Sequence, residues 1–414
     1  MSSLVRPFRG LRPAPEYAAE VAAPPYDVLS SAEARQRAAG KPWSFLHISK
    51  PEIDLPEDTD PYADAVYAKG AENLERMIRE GILVRDLEPH YYVYRLRMGE
   101  HEQTGVVLTG SLAAYEANRI RKHEFTRPQK EDDRVRQITA LGAQTGPVLL
   151  AYRAEPRLRE LLAAETAREP LYDIVADDGI GHQLWRIDRH DVIARLTALF
   201  DAMDALYIAD GHHRSAAAAR VAAERRARAG HASGDASWEY FLCVAFPHDE
   251  MQILDYNRVV RDLNGLDERA LLAAIGERFS VQRATAAVHP ARPGEFGMYL
   301  AGHWYRLAID PRRVPRDDPV ASLDVSLLQD QLLGPILGIG DPRQDQRIDF
   351  VGGIRGLDEL ERRVDRGDMA VAFSLYPTSM EALMAVADAN EVMPPKSTWF
   401  EPKLADGLVS HLLD

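Results

Sequence analysis

Apolar residues recur at two different periods along this chain, and the period changes from one segment to the next. Alternating or continuous short apolar runs indicate strands, whereas apolar residues three to four positions apart indicate amphipathic helices. The strand pattern covers 90–98, 104–115, 147–153, 182–188, 206–210, 241–246, 251–256 and 296–309. The helix pattern covers 62–81, 155–168, 189–203, 215–230, 266–279 and 323–338. Because the two patterns interleave, we predict an α+β or mixed α/β fold.

Proline, glycine and helix-capping residues locate some boundaries of these predicted elements but not the domain boundaries. Prolines crowd the first fifty residues and predict an extended arm with turns, followed by a helix capped by Ser30 or Ser31 and ended by Gly40. The strands 241–246 and 251–256 are expected to pair as neighbours. No low-complexity tract marks a boundary. We expect an N-terminal α/β region (1–115), a central region (116–262) and a C-terminal α/β region (263–414), with one compact unit as the alternative.

Charge and composition narrow the class of partner. The formal net charge is −14, which opposes undirected attraction to nucleic acid or to an anionic membrane. The single cysteine, Cys243, excludes an internal disulfide and a thiolate metal site, and we expect it to be a buried apolar residue. No apolar run is long enough to span a membrane, and the first residues lack an apolar signal segment. We therefore expect a cytoplasmic protein without nucleic-acid or membrane partners.

Lysine is scarce in this sequence. Only seven of the 50 basic residues are lysines, which leaves 50 − 7 = 43 arginines. A lysine that persists in this background marks a position where a compact ammonium group is needed, although codon bias with chance explains any single one equally well. Lys122 and Lys130 lie in one short charged segment, and Lys396 and Lys403 lie in another.

The segment Asp210-Gly211-His212-His213-Arg214 carries the clearest chemical signal. It follows a predicted strand, LYIAD, and precedes an alanine-rich helix, so the helix directs its free N–H groups at the turn. Arg214 can bind phosphate oxygens, either histidine can move a proton, and Asp210 can bind Mg²⁺ or accept a proton. The competing interpretation is a capped helix with exposed histidines.

Three further segments are weaker candidates. Residues 121–134 combine lysines, carboxylates and a histidine around Pro128, which favours a ligand-facing loop, whereas charge alone favours a solvated face. Residues 393–403 place hydroxyls beside Lys396 and equally fit a packed tail. Residues 23–27 offer a carboxylate on a stiff turn, which also has ordinary structural uses.

Taken together, five segments resemble the bacterial domain-of-unknown-function family 1015. They are FRGLRP (8–13), APPYDVLS (23–30), KHEFTRPQKEDDR (122–134), YIADGHHRSAAAA (207–219) and MPPKSTWFEPKLADGLV (393–409). The DGHHR turn also resembles the phosphate-binding turn of the ParB/sulfiredoxin superfold, which includes nucleotide-dependent free serine kinases. This likeness implies a ParB/sulfiredoxin-like core with additional α/β lobes, and it carries over only residues Asp210 to Arg214.

These observations lead to one functional expectation with two alternatives. We expect a phosphotransferase that uses a nucleotide (ADP or ATP) and Mg²⁺ to phosphorylate free serine or a similar small hydroxyl metabolite. Its catalytic candidates are Asp210, His212, His213 and Glu124, with Asp210 also the metal ligand, and its nucleotide-binding candidates are Gly211, Arg214, Lys122, Lys130 and Lys396. The alternatives are a phosphatase of a small phosphomonoester such as phosphoserine and a non-catalytic nucleotide-binding regulator. The sequence leaves the oligomeric state open.

Overall fold

A computed structural model describes residues 3–229 and 234–414. Its strands are β1 (Val5–Arg6), β2 (Leu11–Pro13), β3 (Leu83–Arg85), β4 (Tyr91–Met98), β5 (His101–Ser111), β6 (Ile120–Arg121), β7 (Ala143–Gln144), β8 (Val148–Tyr152), β9 (Tyr172–Val175), β10 (Gly181–Ile187), β11 (Leu206–Asp210), β12 (Tyr240–Pro247), β13 (Gln252–Leu254), β14 (Tyr256–Val260), β15 (Phe279–Ala284), β16 (Glu295–Leu300), β17 (His303–Ile309), β18 (Ile348–Gly352), β19 (Val371–Leu375), β20 (Trp399–Glu401) and β21 (His411–Leu412).

Helices alternate with these strands. They are α1 (Ala18–Val21), α2 (Ser31–Ala38), α3 (Leu46–Ser49), α4 (Asp64–Arg79), α5 (Leu112–Glu116), α6 (Pro128–Leu141), α7 (Pro156–Thr166), α8 (His190–Asp201), α9 (His212–Ala229), α10 (Glu268–Gly276), α11 (Asp324–Leu328), α12 (Asp358–Asp365) and α13 (Met380–Asp388). The mixed α/β fold predicted from the apolar pattern is confirmed. None of the helices in the described part of the chain is long and apolar enough to cross a membrane.

The chain forms two compact units. Unit 1 consists of residues 1–251 together with 402–414, and unit 2 consists of residues 252–401. Unit 1 is therefore built from two stretches of chain that are far apart in sequence. The expected division into three regions stays a prediction.

Unit 1 is organised around a sheet with the strand order β6-β11-β8-β12-β5-β4-β10-β9, and β1 adds to β5. Its pairs are antiparallel except β11 with β6 and β12 with β8, which are parallel. Strands β8 and β12 are buried along their whole length, as expected for central strands. Cys243 on β12 is fully buried, and burial raises the pKa of its thiol, in agreement with a packing role.

Two local predictions need correction. Strand β12 pairs with β5 and β8, while the segment 251–256 divides into β13, which pairs with β20, and the start of β14. The predicted pairing of 241–246 with 251–256 is therefore wrong, because a wholly buried strand takes its partners from the sheet interior. Residues 128–134 lie on α6 rather than in a loop, since Pro128 occupies the first helical turn, where its missing N–H costs nothing.

Unit 2 contains a second, antiparallel sheet in the order β15-β17-β16-β19-β14-β18. Strand β14 lies between β19 and β18, and all five of its residues are buried. A core of apolar side chains from β14, β16, β17, β18, β19 and α12 packs within this unit.

Candidate functional site

The candidate site of unit 1 begins where β11 ends and α9 begins. Asp210 is the last residue of β11, as predicted, and α9 begins at His212, three residues before the predicted start at Ser215. Gly211 alone makes the turn, with φ of 99°, a conformation that favours glycine. The first N–H groups of α9 have no acceptor within the helix and carry its positive dipole end. This end of the helix is therefore suited to an anion.

Asp210 is a carboxylate surrounded by cations. Its Oδ2 lies 3.3 Å from the Lys403 ammonium nitrogen, and its Oδ1 lies 3.8 Å from the Arg214 guanidinium. Burial alone would raise the pKa of Asp210, but the positive charges of Lys403 and Arg214 outweigh burial and hold that pKa well below its ordinary value. Asp210 is therefore ionised at neutral pH.

Arg214 lies deeper than the motif alone suggested. Its guanidinium donates to the Pro147 carbonyl, lies 4.0 Å from Asp27, and has a side chain only 11% exposed. A Cβ placed on Gly146 would lie 3.3 Å from Arg214 Cδ, so glycine at this position leaves room for the Arg214 side chain. Because Arg214 is enclosed among carboxylates, the pKa of its guanidinium is raised in spite of burial. It is a permanent buried cation beneath the turn.

Asp406 is a second carboxylate of the same region, and the sequence did not single it out. Its Oδ1 is buried and, among the described residues, has no hydrogen-bond partner. It borders a cavity of about 30 Å³, large enough for about one water molecule, with Arg134, Gln144 and Arg214. Burial raises the pKa of Asp406 to about 7, and the Arg214 charge opposes the rise. Asp406 therefore exchanges its proton near neutral pH.

Two histidines and a glutamate form a cluster beside the turn. The rings of His123 and His212 meet edge to face with centroids 4.5 Å apart, and Glu124 Oε2 lies 3.7 Å from His212 Nδ1. Burial lowers the pKa of His123 to about 4 and that of His212 well below its ordinary value, so both imidazoles are neutral at pH 7. One ligand atom from each of the three residues lies within 4.8 Å of the others. This geometry can hold a metal ion.

His123 is oriented for such a role. Its imidazole hydrogen-bonds to the Ile208 backbone, while the buried Nδ1 has no partner among the described residues. A histidine that ligates a metal commonly uses its second ring nitrogen in this way, which fixes the ring and leaves one lone pair free.

The remaining predicted residues fall in two places. His213 Nε2 accepts a hydrogen bond from the Arg127 backbone N–H at 3.0 Å, and burial together with the charges of Arg127 and Lys130 lowers the pKa of His213. The Lys122 ammonium lies 4.6 Å from the centroid of the Tyr115 ring, and its charge contributes to the low pKa of His212. Lys396 belongs to unit 2, where its ammonium lies 5.6 Å from the centroid of the Tyr256 ring.

The sequence reasoning missed Lys403 and Asp406 as site residues. Lys403 lies 193 positions from Asp210 along the chain, a separation that no local pattern can bridge. A signal for both was nevertheless present, since they belong to the segment MPPKSTWFEPKLADGLV and Lys403 is one of the seven lysines.

Comparison with known families decides the relationship. The family described as "Protein of unknown function (DUF1015)" matches residues 5–326. This chain belongs to that family. No curated protein matches the sequence.

Several solved structures resemble this family member at low similarity. A free serine kinase in complex with AMP is 14% identical with a TM-score of 0.34, and the match covers 73% of this chain and 92% of that one. A conserved hypothetical protein from Pyrococcus furiosus is 15% identical with a TM-score of 0.34, and the match covers 73% of this chain and 95% of that one. SbnI from Staphylococcus aureus, truncated at its C-terminus, is 10% identical with a TM-score of 0.37, and the match covers 72% of this chain and 85% of that one.

Proposed function

We propose that unit 1 is a nucleotide-dependent phosphotransferase that acts on the hydroxyl of free serine or a similar small metabolite. The observation that carries the proposal is the ionised Asp210, held by Lys403 next to the N-terminal end of α9. A site of this kind offers hydrogen-bond donors and cations to phosphate oxygens and keeps a carboxylate at the same place.

The phosphate groups of the nucleotide bind at Gly211 and the first turn of α9. Main-chain N–H groups donate to the oxygens, and Lys403, Lys122 and Lys130 balance the negative charge around the turn. The buried Arg214 supports the turn from below, since its guanidinium touches the carbonyl of Pro147 and faces Asp210. In this arrangement Arg214 acts on the phosphate chiefly through its charge.

Proton transfer from the acceptor hydroxyl requires a base. Asp210, His212 and His213 of the DGHHR segment are candidates, and Glu124 of the segment 121–134 is a further one.

Magnesium fits this donor set in part. Mg²⁺ prefers oxygen ligands and commonly binds one or two carboxylates together with substrate phosphates. Asp210 and Glu124 supply carboxylates, and the cations already facing Asp210 mean that phosphate oxygens must complete the coordination. When bound, the ion neutralises charge on the transferring phosphoryl group.

The cluster of His123, Glu124 and His212 favours a second candidate function, a phosphatase of small phosphomonoesters. Two neutral imidazoles and a carboxylate suit a transition metal better than Mg²⁺. A metal held by such ligands lowers the pKa of bound water and supplies the nucleophile for hydrolysis.

Phosphorus NMR of the purified chain distinguishes these functions. The protein is incubated with Mg²⁺, serine and either ADP or ATP, and in parallel with phosphoserine alone. New phosphoserine supports the kinase, and free phosphate from phosphoserine supports the phosphatase. If nucleotide binds but neither product forms across a panel of small hydroxyl compounds and phosphomonoesters, the enzyme proposal fails for those substrates, and a nucleotide-binding regulator takes its place.

A further inference from the structure

Unit 2 contains a cavity of about 650 Å³ that the proposed function does not use. Its volume falls within the range of about 300–1,000 Å³ that is typical of small-molecule sites. The wall combines apolar side chains, including Leu333, Ile348 and Phe350, with a few polar groups. Those polar groups identify the ligand.

Arg258 is the first of them. It lies on the buried strand β14, is only 4% exposed, and places its guanidinium 5.1 Å from the centroid of the Phe350 ring. Its hydrogen bonds go to the backbone carbonyls of Tyr256, Pro395 and Lys396, which use three of the five guanidinium donors. Within the described residues no carboxylate lies within 4.0 Å of it. A buried charge without a counter-ion is rare in proteins, and a bound anion would pair it.

Two residues that line the same cavity each carry a buried oxygen without a hydrogen-bond partner among the described residues. Gln329 donates through its side-chain nitrogen to the carbonyls of Ile339 and Gly340 at 2.8 and 3.1 Å, which fixes the amide and leaves its buried Oε1 without a partner. The buried Ser326 Oγ also lacks a partner in the described part of the chain. Ser326 and Gln329 are three positions apart on consecutive helical residues, so they share one face.

The charge of the cavity rim favours the same kind of ligand group as these oxygens, a cationic hydrogen-bond donor. Asp317, Asp318, Asp330 and Glu391 all line the cavity and carry carboxylates. A ligand that satisfies the whole wall therefore needs an anionic group for Arg258, a cationic donor for Gln329 and the rim, and an apolar body.

We propose that this cavity binds a free α-amino acid with a large apolar side chain. Its carboxylate pairs with Arg258, its ammonium group donates to Gln329 Oε1 and faces the acidic rim, and its side chain packs against Leu333, Ile348 and Phe350. This is a second ligand site, separate from the phosphate-binding turn of unit 1, and it holds whether or not unit 1 transfers phosphate.

Calorimetry on the full chain, without nucleotide, tests the ligand class. Phenylalanine, leucine and tryptophan are compared with 3-phenylpropionate, which lacks the ammonium group, and with phenethylamine, which lacks the carboxylate. We expect at least one of the three amino acids to bind, and each analogue to bind at least tenfold more weakly than phenylalanine. Absence of binding by all three amino acids, or equal binding of phenethylamine and phenylalanine, overturns the proposal.

Variants then test the two anchors separately. Arg258→Met should reduce the affinity for phenylalanine at least tenfold, whereas Arg261→Met, at an exposed arginine just beyond the same strand, should leave it unchanged. Gln329→Met should lower the affinity for phenylalanine but not the affinity for 3-phenylpropionate, which has no ammonium group. A general loss of packing would lower both affinities. If Arg258→Met fails to fold by circular dichroism, the Gln329→Met comparison decides alone. If Gln329→Met lowers the affinity for both ligands equally, the ammonium group does not bind at Gln329.

Discussion

Asp210 and Asp406 are carboxylates of one region whose pKa values move in opposite directions. Lys403 and Arg214 lower the pKa of Asp210, whereas burial raises that of Asp406 to about 7. Environments that drive the pKa values of two neighbouring acids apart are the usual way in which proteins separate a permanently charged group from a proton carrier. This contrast makes Asp406 a residue whose titration is worth measuring.

Asp406→Asn should change the pH dependence of stability. The folded state retains the Asp406 proton up to about pH 7, while the unfolded chain loses it near 3.8. Between these values the folded state binds more protons, so the contribution of Asp406 to the free energy of unfolding falls by about 1.4 kcal/mol per pH unit as pH rises. Asparagine does not titrate, so the variant should gain on the order of 4 kcal/mol relative to wild type between about pH 4 and pH 7.

Urea unfolding at several pH values measures this gain. Asp173→Asn is the matched control, because Asp173 lies at an exposed position on β9 and its carboxylate accepts a hydrogen bond from the Gln183 side chain. Parallel stability curves for Asp406→Asn and wild type across the window would show that Asp406 has an ordinary pKa in the folded state.

Asp210→Asn tests the catalytic proposal directly. The amide keeps the size of the side chain but removes the charge that faces Lys403 at 3.3 Å, so the proposed metal ligand is lost. We expect nucleotide binding to persist and turnover to disappear, as measured by calorimetry and phosphorus NMR. With Asp173→Asn again as the control, full turnover by Asp210→Asn would remove Asp210 from the mechanism.

At the scale of elements, the junction of β11 and α9 depends on Gly211. Alanine at this position is strained by φ of 99°, and its Cβ would lie 3.1 Å from Arg214 Nε and 3.3 Å from Val148 Cα. We expect Gly211→Ala to lower the free energy of unfolding by about 1–3 kcal/mol and to weaken nucleotide binding.

Gly142→Ala separates the two causes of that loss. Gly142 ends α6 with φ of 57°, and nothing lies within 4 Å of the Cβ position, so alanine there meets only the backbone penalty of about 1 kcal/mol. Thermal and urea unfolding should rank Gly211→Ala as the more damaging variant. The reverse order would mean that crowding at Arg214 contributes nothing.

The same junction shows what sequence reasoning can reach. The strand LYIAD, the glycine turn and the following helix are set by neighbouring residues, and they were predicted to within three positions. The sequence likewise predicts a cap at Ser30 or Ser31, and Ser30 forms a capping box with Glu33 at the start of α2. These features depend on interactions between residues close in the chain.

Features decided by distant residues were not predictable in this way. The partners of β12 depend on which strands surround a wholly buried segment, and its apolar run is compatible with any of them. The start of α6 at Pro128 depends partly on packing against α4 and α9, which the local charge pattern of 121–134 does not show. The pairing of Asp210 with Lys403 follows from the return of the chain to unit 1.

At the scale of the whole molecule, the main feature is that the chain returns to unit 1 after forming unit 2. Residues 402–414 follow unit 2 in sequence and complete unit 1, where β21 pairs with β7 and Leu413 joins the main core. The same stretch delivers Lys403 and Asp406 to the site. We therefore expect the stability of unit 1 and the assembly of its candidate site to depend on residues 402–414.

Removal of residues 402–414 should unfold unit 1 selectively. The deletion exposes the pockets of Leu408, Val409 and Leu413, each worth about 1.5–3 kcal/mol of burial, which together approach the 5–15 kcal/mol that stabilises an ordinary domain. Hydrogen exchange read by mass spectrometry should show lost protection in β8 and β11 and retained protection in β16, β17 and β19.

Lys403→Met is the matched control for this deletion. It removes only the ammonium group beside Asp210 and leaves β21 and Leu413 in place, so protection in β8 and β11 should persist while nucleotide affinity falls. The deletion of residues 402–414 removes both packing contacts and the Lys403 charge, whereas Lys403→Met removes the charge alone. Equal protection of β8 and β11 in the truncated chain and in wild type would mean that unit 1 folds without its C-terminal stretch, and that residues 402–414 serve the site only.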